Sequence, residues 1–402
     1  MKKILALLLA MVMVFALVAC GSGNDQPAAD TPANDAPAAP AADAADEADE
    51  APAAPASNLL AETEGMRIAM ITDYGDITDQ SFNQTTYEAC KAYADDNGQD
   101  FSYYKPASDS DADRVSMIEQ AIDDGYNVIV MPGYAFENAI YETAEVYDDV
   151  IFIALDVSPA ADYAVPANLY CAVYQEELCG YMAGYAAVKL GYTQLGFLGG
   201  MAVPAVMRYG YGFVQGVNAA ADELGLTDVT VKYLYGNTFG PDTGVKAAMD
   251  TWFANGTEVV FACGGGIYIS AAEAAQSANA KIIGVDVDQS GIIDGAYGEG
   301  MTVTSAMKGL ANTVDLLLSE IAAGNWADYA GKVDTLGMVS ANNSENYVGL
   351  PETTQWSDSF TEEDCADLVA AIYSGDIVVS DDTTVSASDY ATVISVEDQG
   401  TL

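Results

Sequence analysis

Apolar and polar positions along this chain fall into two alternating periods. Short runs in which almost every position is apolar, such as Ile68-Ala-Met-Ile71 and Val128-Ile-Val-Met131, read as strands buried on both faces. Between them lie longer stretches whose apolar residues recur at helical spacing. The first series predicts strands over Arg67 to Thr72, Asp100 to Tyr104, Asn127 to Met131 and Val150 to Leu155. Helices are predicted over Phe82 to Asp96, Asp111 to Asp124 and Phe136 to Tyr147. After a strand at Asn168 to Tyr174 a second series follows, with strands at Gln194 to Leu198, Thr230 to Tyr235, Glu258 to Ala262 and Lys281 to Val285. Its helices cover Glu176 to Leu190, Pro204 to Leu224, Asp242 to Ala254 and Ser270 to Ala278. Such alternation means βαβ units and parallel sheets, and the length exceeds what one core serves. The expected fold class is therefore α/β with two Rossmann-like lobes: a first lobe over 66–174, a second over 175–290, and a return segment over 291–402. A strand at Met301 to Ala306 and a helix at Leu310 to Ala323 have to go back to the first lobe or brace the hinge. Two lobes joined by several strands make a hinged cleft, where small-molecule sites concentrate.

The pattern breaks before Met66. Lys2-Lys3, an apolar run from Ile4 to Ala19 and small residues at its end read as a secretory signal over 1–20, too short to favour a spanning helix. From 21 to 65 the chain is Ala, Pro, Asp and Glu without Lys or Arg, a composition that stays extended and solvated. We expect it to act as a tether.

Composition then removes whole classes of function. With 13 Lys+Arg against 60 Asp+Glu and a formal charge of -47, the chain lacks the basic footprint that nucleic acid requires. It contains no histidine, which excludes Ser-His-Asp and Cys-His nucleophilic sites and histidine metal centres. Cys90, Cys171, Cys179, Cys263 and Cys365 are an odd set without CxxC spacing, so neither a disulfide framework nor a zinc site is expected. No loop has EF-hand spacing. The expectations are a binding protein rather than an enzyme, with no metal and no cofactor, working as a monomer.

Chemistry collects at the strand ends. Asp73-Tyr-Gly-Asp-Ile-Thr-Asp-Gln-Ser-Phe-Asn-Gln84 leaves a strand and enters a helix, which places it over the crevice of an open α/β sheet. Asp73, Asp79, Phe82 and Asn83 offer acceptors, a stacking face and an amide; alternatively Asp79 and Ser81 only cap the helix. Asp156 ends another strand, as a ligand acceptor, a helix cap or half of a hinge salt bridge. Phe261-Ala-Cys-Gly-Gly-Gly266 has neither dinucleotide nor P-loop spacing, so Gly264 marks close backbone approach with free N–H groups facing the cleft. Phe239 and Tyr268 compete as a second aromatic surface. Asp286, in Ile282-Ile-Gly-Val-Asp-Val-Asp-Gln289, would point into the cleft from the second lobe, where paired hydroxyls of a ribose are a natural partner. Lys308 is one of few cations in the folded part; it serves the ligand, neutralises a carboxylate such as Asp286, or does both.

With these residues in place, the chain resembles the basic membrane protein family of bacterial substrate-binding lipoproteins, which includes purine-nucleoside receptors of ABC transporters. The likeness covers about Met66 to Val379 and rests on Asp73 to Gln84, Gly199-Gly-Met-Ala-Val-Pro204 and Ile283 to Gln289. Leu17-Val-Ala-Cys20 resembles a lipobox, which implies diacylglycerol on Cys20 and attachment to the outer face of the cell membrane. The family implies a type I periplasmic-binding fold with a nucleoside between the lobes and an ABC permease as partner. Its base would stack on Phe82 and bond to Asn83, with Asp286 and Lys308 on the sugar side and Asp73 and Asp156 on the first-lobe wall. Asp76 departs from the family pattern, which usually has Gly there. A receptor for a sugar or other polar metabolite, a surface sensor and a nucleoside hydrolase are the competing readings; Phe82 followed by Asn83 favours a planar heterocycle over a bare sugar.

Overall fold

The computed structural model of the protein describes residues 65–402, so the expectations for the leader, Cys20 and the tether lie outside the described residues. In chain order the strands are β1 (Arg67–Ile71), β2 (Asp100–Tyr104), β3 (Val128–Pro132), β4 (Ile151–Leu155), β5 (Leu169–Tyr174), β6 (Gln194–Gly199), β7 (Thr230–Tyr235), β8 (Val259–Cys263), β9 (Lys281–Asp286), β10 (Thr302–Lys308), β11 (Val333–Leu336), β12 (Val348–Gly349) and β13 (Ser395–Thr401). The helices are α1 (Phe82–Asn97), α2 (Asp111–Asp123), α3 (Glu137–Thr143), α4 (Glu176–Lys189), α5 (Pro204–Leu224), α6 (Thr243–Ala254), α7 (Tyr268–Ala278), α8 (Ser290–Tyr297), α9 (Leu310–Ala323) and α10 (Glu362–Ser374).

Two sheets result, ordered β11-β5-β4-β3-β1-β2 and β12-β10-β9-β8-β6-β7-β13. Every pairing is parallel except β10 with β12. Strands such as β3, β4 and β8 are buried at every position because helices cover both faces of each sheet, which is why they read as unbroken apolar runs. In the first sheet α1 and α9 cover one face, and α2 and α3 the other. In the second, α4, α5 and α10 lie opposite α6, α7 and α8. The return strand joins the second sheet as β10, whereas α9 and β11 go back to the first.

The chain passes between the sheets at Gln175, at Gly309 and over 337–347. These passages are stitched together: Gln175 N donates to Leu336 O at 2.9 Å, Gly309 N to Tyr347 O at 2.7 Å and Tyr347 N to Gly337 O at 2.9 Å. Three hydrogen-bonded connections of this kind allow rotation of one lobe on the other about a narrow waist.

The two sheets repeat one plan at their carboxyl ends. β3 and β8 each run into a glycine with positive φ, Gly133 at 128° and Gly264 at 145°, followed by a short 3-10 turn. β4 and β9 each deliver an aspartate in the left-handed region, Asp156 at φ 60° and Asp286 at φ 66°. For a side chain with a Cβ that conformation is uncommon, and its occurrence twice, on facing strand ends, marks the place where backbone geometry serves a site.

Candidate functional site

The loops at these strand ends enclose a cavity of about 480 Å3 between the sheets. Asp73, Asp79, Phe82, Asn83, Asp156, Phe239, Gly264, Asp286 and Lys308 all line it. Tyr268 does not: only 4% exposed, it packs into the apolar cluster that holds Leu198, Met249 and Ile293. It is the first residue of α7, and of the two candidates Phe239 is the one that lines the cavity. Phe239 sits where it does because the facing backbone has no side chains. A Cβ on Gly200 would fall 2.4 Å from its ring and one on Gly264 2.8 Å. The Gly264 loop thus seats an aromatic ring, and one of the N–H groups expected to be free is used, since Gly266 N donates to Phe239 O at 2.7 Å. Tyr74 of the first lobe packs beside Phe239, ring centroids 6.4 Å apart.

Asp79 is a cap. Its carboxylate accepts from the N–H groups of Ser81, Asn83 and Gln84 and from Asn83 Nδ2, at 2.9 to 3.2 Å, leaving the helix N-terminus satisfied. Burial nonetheless raises the Asp79 carboxyl, partly offset by those donors. Ser81, freed from capping, reaches across the cleft and donates to Asp286 Oδ2 at 2.5 Å. Asp73 turns one oxygen to the N–H groups of Tyr74 and Gly75 at 2.6 and 2.7 Å. Its carboxyl is raised by burial, against the pull of those donors and the Asn83 amide. Asp76, at the cavity mouth, is largely solvated and pairs with Lys105 at 2.9 Å.

Lys308 sits at the waist, one residue before the Gly309 passage. Its ammonium lies 2.5 Å from Asp156, 3.3 Å from Glu176 and 3.8 Å from Asp286, and 4.7 Å from the Phe82 ring centroid. Burial alone would lower this ammonium; the three carboxylates reverse that and push it up. Its principal partners are Asp156 and Glu176 rather than Asp286, so the hinge salt bridge considered for Asp156 is real, while both residues also face the cavity. Burial raises the Asp156 carboxyl to about 6 in spite of Lys308. Arg208 completes the cluster, 2.7 Å from Glu176. Tyr209 donates to Asp286 Oδ1 at 3.2 Å.

Glu176, Arg208, Tyr209 and Tyr74 are participants the sequence did not single out. The first three come from the N-terminal parts of α4 and α5, and their role exists only because α4 meets β10 and α5 packs on α4. Two cavity-lining acceptors, Asn83 Oδ1 and Asp156 Oδ1, are buried without a hydrogen-bond partner among the described residues. Unpaired buried acceptors are costly, so their natural complement is a ligand rich in donors. Among the described residues no group of three or more Cys, Asp or Glu is placed to hold a metal ion, and all five cysteines are buried and free. No described helix is long and apolar enough to cross a membrane.

A family model described as Bmp, ABC transporter substrate-binding protein PnrA-like, matches residues 66–383. The ABC transporter nucleoside-binding protein BmpA of Lactococcus lactis subsp. cremoris is 26% identical over 237 residues, which are 56% of this chain and 64% of that protein, just under two thirds of its length. Basic membrane protein B of Borreliella burgdorferi is 24% identical over 301 residues, 74% of this chain and 84% of the relative. A solved solute-binding protein of an ABC transporter system from Aeropyrum pernix K1 superposes with a TM-score of 0.64 at 20% identity, covering 79% of this chain and 95% of that one. A second, from Conexibacter woesei, gives 0.61 at 20% identity over 79% and 99%. The fold is that of the type I periplasmic solute-binding proteins, and the chain belongs to the Bmp family of PnrA-like ABC transporter substrate-binding proteins.

Proposed function

We propose that this protein captures a nucleoside, a purine nucleoside in particular, between its lobes and hands it to an ABC permease, held at the outer face of the cell membrane by lipid on Cys20. The observation that carries the reading is the composition of the cavity: rings from opposite lobes, Phe82 and Phe239, with acceptors Asp73, Asn83, Asp156 and Asp286 distributed around them. A planar base fits between aromatic faces, where stacking is indifferent to hydrogen-bond pattern. Ribose hydroxyls supply the donors that Asp156 and Asp286 accept, and Lys308 holds the two carboxylates together at that end. The named function of the Lactococcus relative supports the same class of ligand. The buried carboxylates argue against a phosphorylated ligand, because Lys308 is already matched by three of them.

A thermal-shift screen against nucleosides, free bases, sugars and amino acids tests the ligand class, since a ligand that binds only the native state raises the melting temperature. Purine nucleosides should give the largest shift; a larger shift with sugars would sink the reading. Chromatography of the incubated nucleoside should recover it intact, and release of free base would instead mean a hydrolase. Cys20→Ala should move the protein from the membrane fraction to the medium.

A further inference from the structure

The nucleoside reading leaves the base open, and the polarity of the base-facing side chains closes it. This step rests on that reading. Asn83 Nδ2 lies 3.2 Å from Asp79 Oδ2, and an ionised carboxylate only accepts, so the amide is held with its nitrogen inward. The Asp73–Gly75 turn wedges it there: a Cβ on Gly75 would fall 2.3 Å from Asn83 Nδ2 and 3.1 Å from Asp73 Oδ1. Turning the amide over would set its oxygen against two carboxylates. Asn83 therefore presents Oδ1, an acceptor, which is buried and without a partner among the described residues.

Asp73 presents a second acceptor. Its Oδ1 is occupied by the N–H groups of Tyr74 and Gly75, so the oxygen left for a ligand is Oδ2. Gly133 keeps that oxygen approachable, because a Cβ there would lie 2.9 Å from it. Close by, the buried Tyr74 hydroxyl lies next to that of Tyr134, toward which its proton is directed. The cavity wall next to Phe82 thus offers two acceptors.

Each purine edge answers this differently. Guanine carries adjacent donors at N1 and N2 with an acceptor at O6; hypoxanthine keeps N1–H and O6 but lacks the amino group. Adenine carries a donor at its 6-amino group but an acceptor at N1, so it can pair with one of the two oxygens while N1 faces the other. We infer that the cleft selects 6-oxopurine nucleosides, guanosine foremost, over adenosine, with Asp73 Oδ2 and Asn83 Oδ1 reading the donor edge of the base. A site built of buried acceptors rejects a ligand that leaves them unpaired more strongly than an apolar pocket rejects a change of shape.

Calorimetric titration of the purified protein with guanosine, inosine and adenosine at neutral pH tests this. Guanosine should bind at least about tenfold tighter than adenosine, with inosine between them. Asp73→Asn, whose amide can turn a donor toward adenine N1, should narrow the ratio to within about threefold, chiefly by weakening guanosine. Circular dichroism establishes whether that variant is folded, and the wild-type series decides the matter without it. Adenosine binding as tightly as guanosine at neutral pH would overturn the base-edge assignment while the nucleoside reading stands. Absence of binding by all three, with another compound class stabilising the protein, would overturn both.

Discussion

At the scale of single residues, the side chain with most at stake is Lys308. Its ammonium is buried among Asp156, Glu176 and Asp286, and since Glu176 keeps Arg208, removing Lys308 leaves Asp156 and Asp286 without their counter-charge. Breaking a buried pair from one side costs about 3–5 kcal/mol. Lys308→Met should lose stability on that order in urea unfolding, and adding Asp156→Asn should recover part of it. Glu177 gives a second prediction. It is 4% exposed, its Oε2 has no partner among the described residues, and burial pushes its carboxyl from 4.5 to about 8, with Glu176 and Asp381 adding to the rise and Arg208 opposing it. Native Glu177 thus keeps a proton that the unfolded chain has released, so its contribution is full below about pH 4.5 and is lost as pH rises through about 8. Unfolding free energies measured at pH 5 and above pH 8 should fall less in Glu177→Gln than in the parent, and the variant should be the more stable at the higher pH. Asp73, Asp79 and Asp156 are raised by burial as well, so part of the slope remains. Much of the cavity was readable from strand-end position: Asp73, Asp156, Asp286 and Lys308 sit where an α/β strand stops, and Phe82, Asn83 and Phe239 on the loops and helix start that follow such ends. The choice of Phe239 over Tyr268 was not, since it depends on whether a ring packs into the apolar core or lies across bare glycine backbone. Capping by Asp79 was one of two open readings, but that Ser81, the better cap by type, spends its hydroxyl on the other lobe was not legible.

At the scale of elements, α4 and α5 show how close the backbone of this fold can run. Gly180 and Gly184 on one helix meet the backbone of Tyr209 and Phe213, while Gly212 and Gly216 on the other meet that of Glu177 and Tyr181; a Cβ at any of the four would lie 2.0 to 2.3 Å from a carbonyl oxygen. This contact sets Glu176 against Lys308 and Arg208 against Glu176, so it positions the charged cluster behind the cavity as well as the core. Gly212→Ala should destabilise by at least about 1–3 kcal/mol, the usual cost of overpacking, because the obstacle is backbone that cannot rotate away. Gly295 in α8 is the contrast, with nothing within 4 Å of the added Cβ; Gly295→Ala should be neutral or stabilising by about 0.5–1 kcal/mol. Differential scanning calorimetry should therefore show a lowered melting temperature for Gly212→Ala and an unchanged or raised one for Gly295→Ala. The strands β1 to β10 and most helices announce themselves by period. β11 and β13 do not: Val333-Asp-Thr-Leu336 and Ser395-Val-Glu-Asp-Gln-Gly-Thr401 are short or polar and exist as strands because the edges of β5 and β7 are there to pair with them. α10 carries a local signal, Thr361 capped reciprocally with Asp364, but the acidic residues beside it mask the apolar stripe of Cys365, Leu368, Val369 and Ile372.

At the scale of the molecule, the lobes are joined at the waist and held closed across the mouth by few polar contacts. Ser81 of the first lobe donates to Asp286 of the second at 2.5 Å, and Gln289 Nε2 donates to Gln80 O at 3.0 Å. Gln289 is fully buried and also accepts from Val285 N, so it is held from the second-lobe side and leaves little freedom for the latch to slip. Ser81 is the more separable element. It lies in the first lobe, its hydroxyl does not cap α1, and its partner is a charged oxygen, for which a hydrogen bond is worth about 1.5–3 kcal/mol. If that energy is made only when the lobes are together, losing it shifts the ratio of closed to open molecules by about ten- to a hundredfold. The ligand enters and leaves the open form, so the change should fall on escape. Ser81→Ala should raise the nucleoside dissociation rate by at least about tenfold and leave the association rate within about twofold. Stopped-flow displacement with a competing nucleoside measures the first and direct mixing the second. A dissociation rate unchanged in Ser81→Ala would mean that closure is carried by the waist around Lys308 alone, and a slowed association would mean that Ser81 shapes the open site instead of the latch.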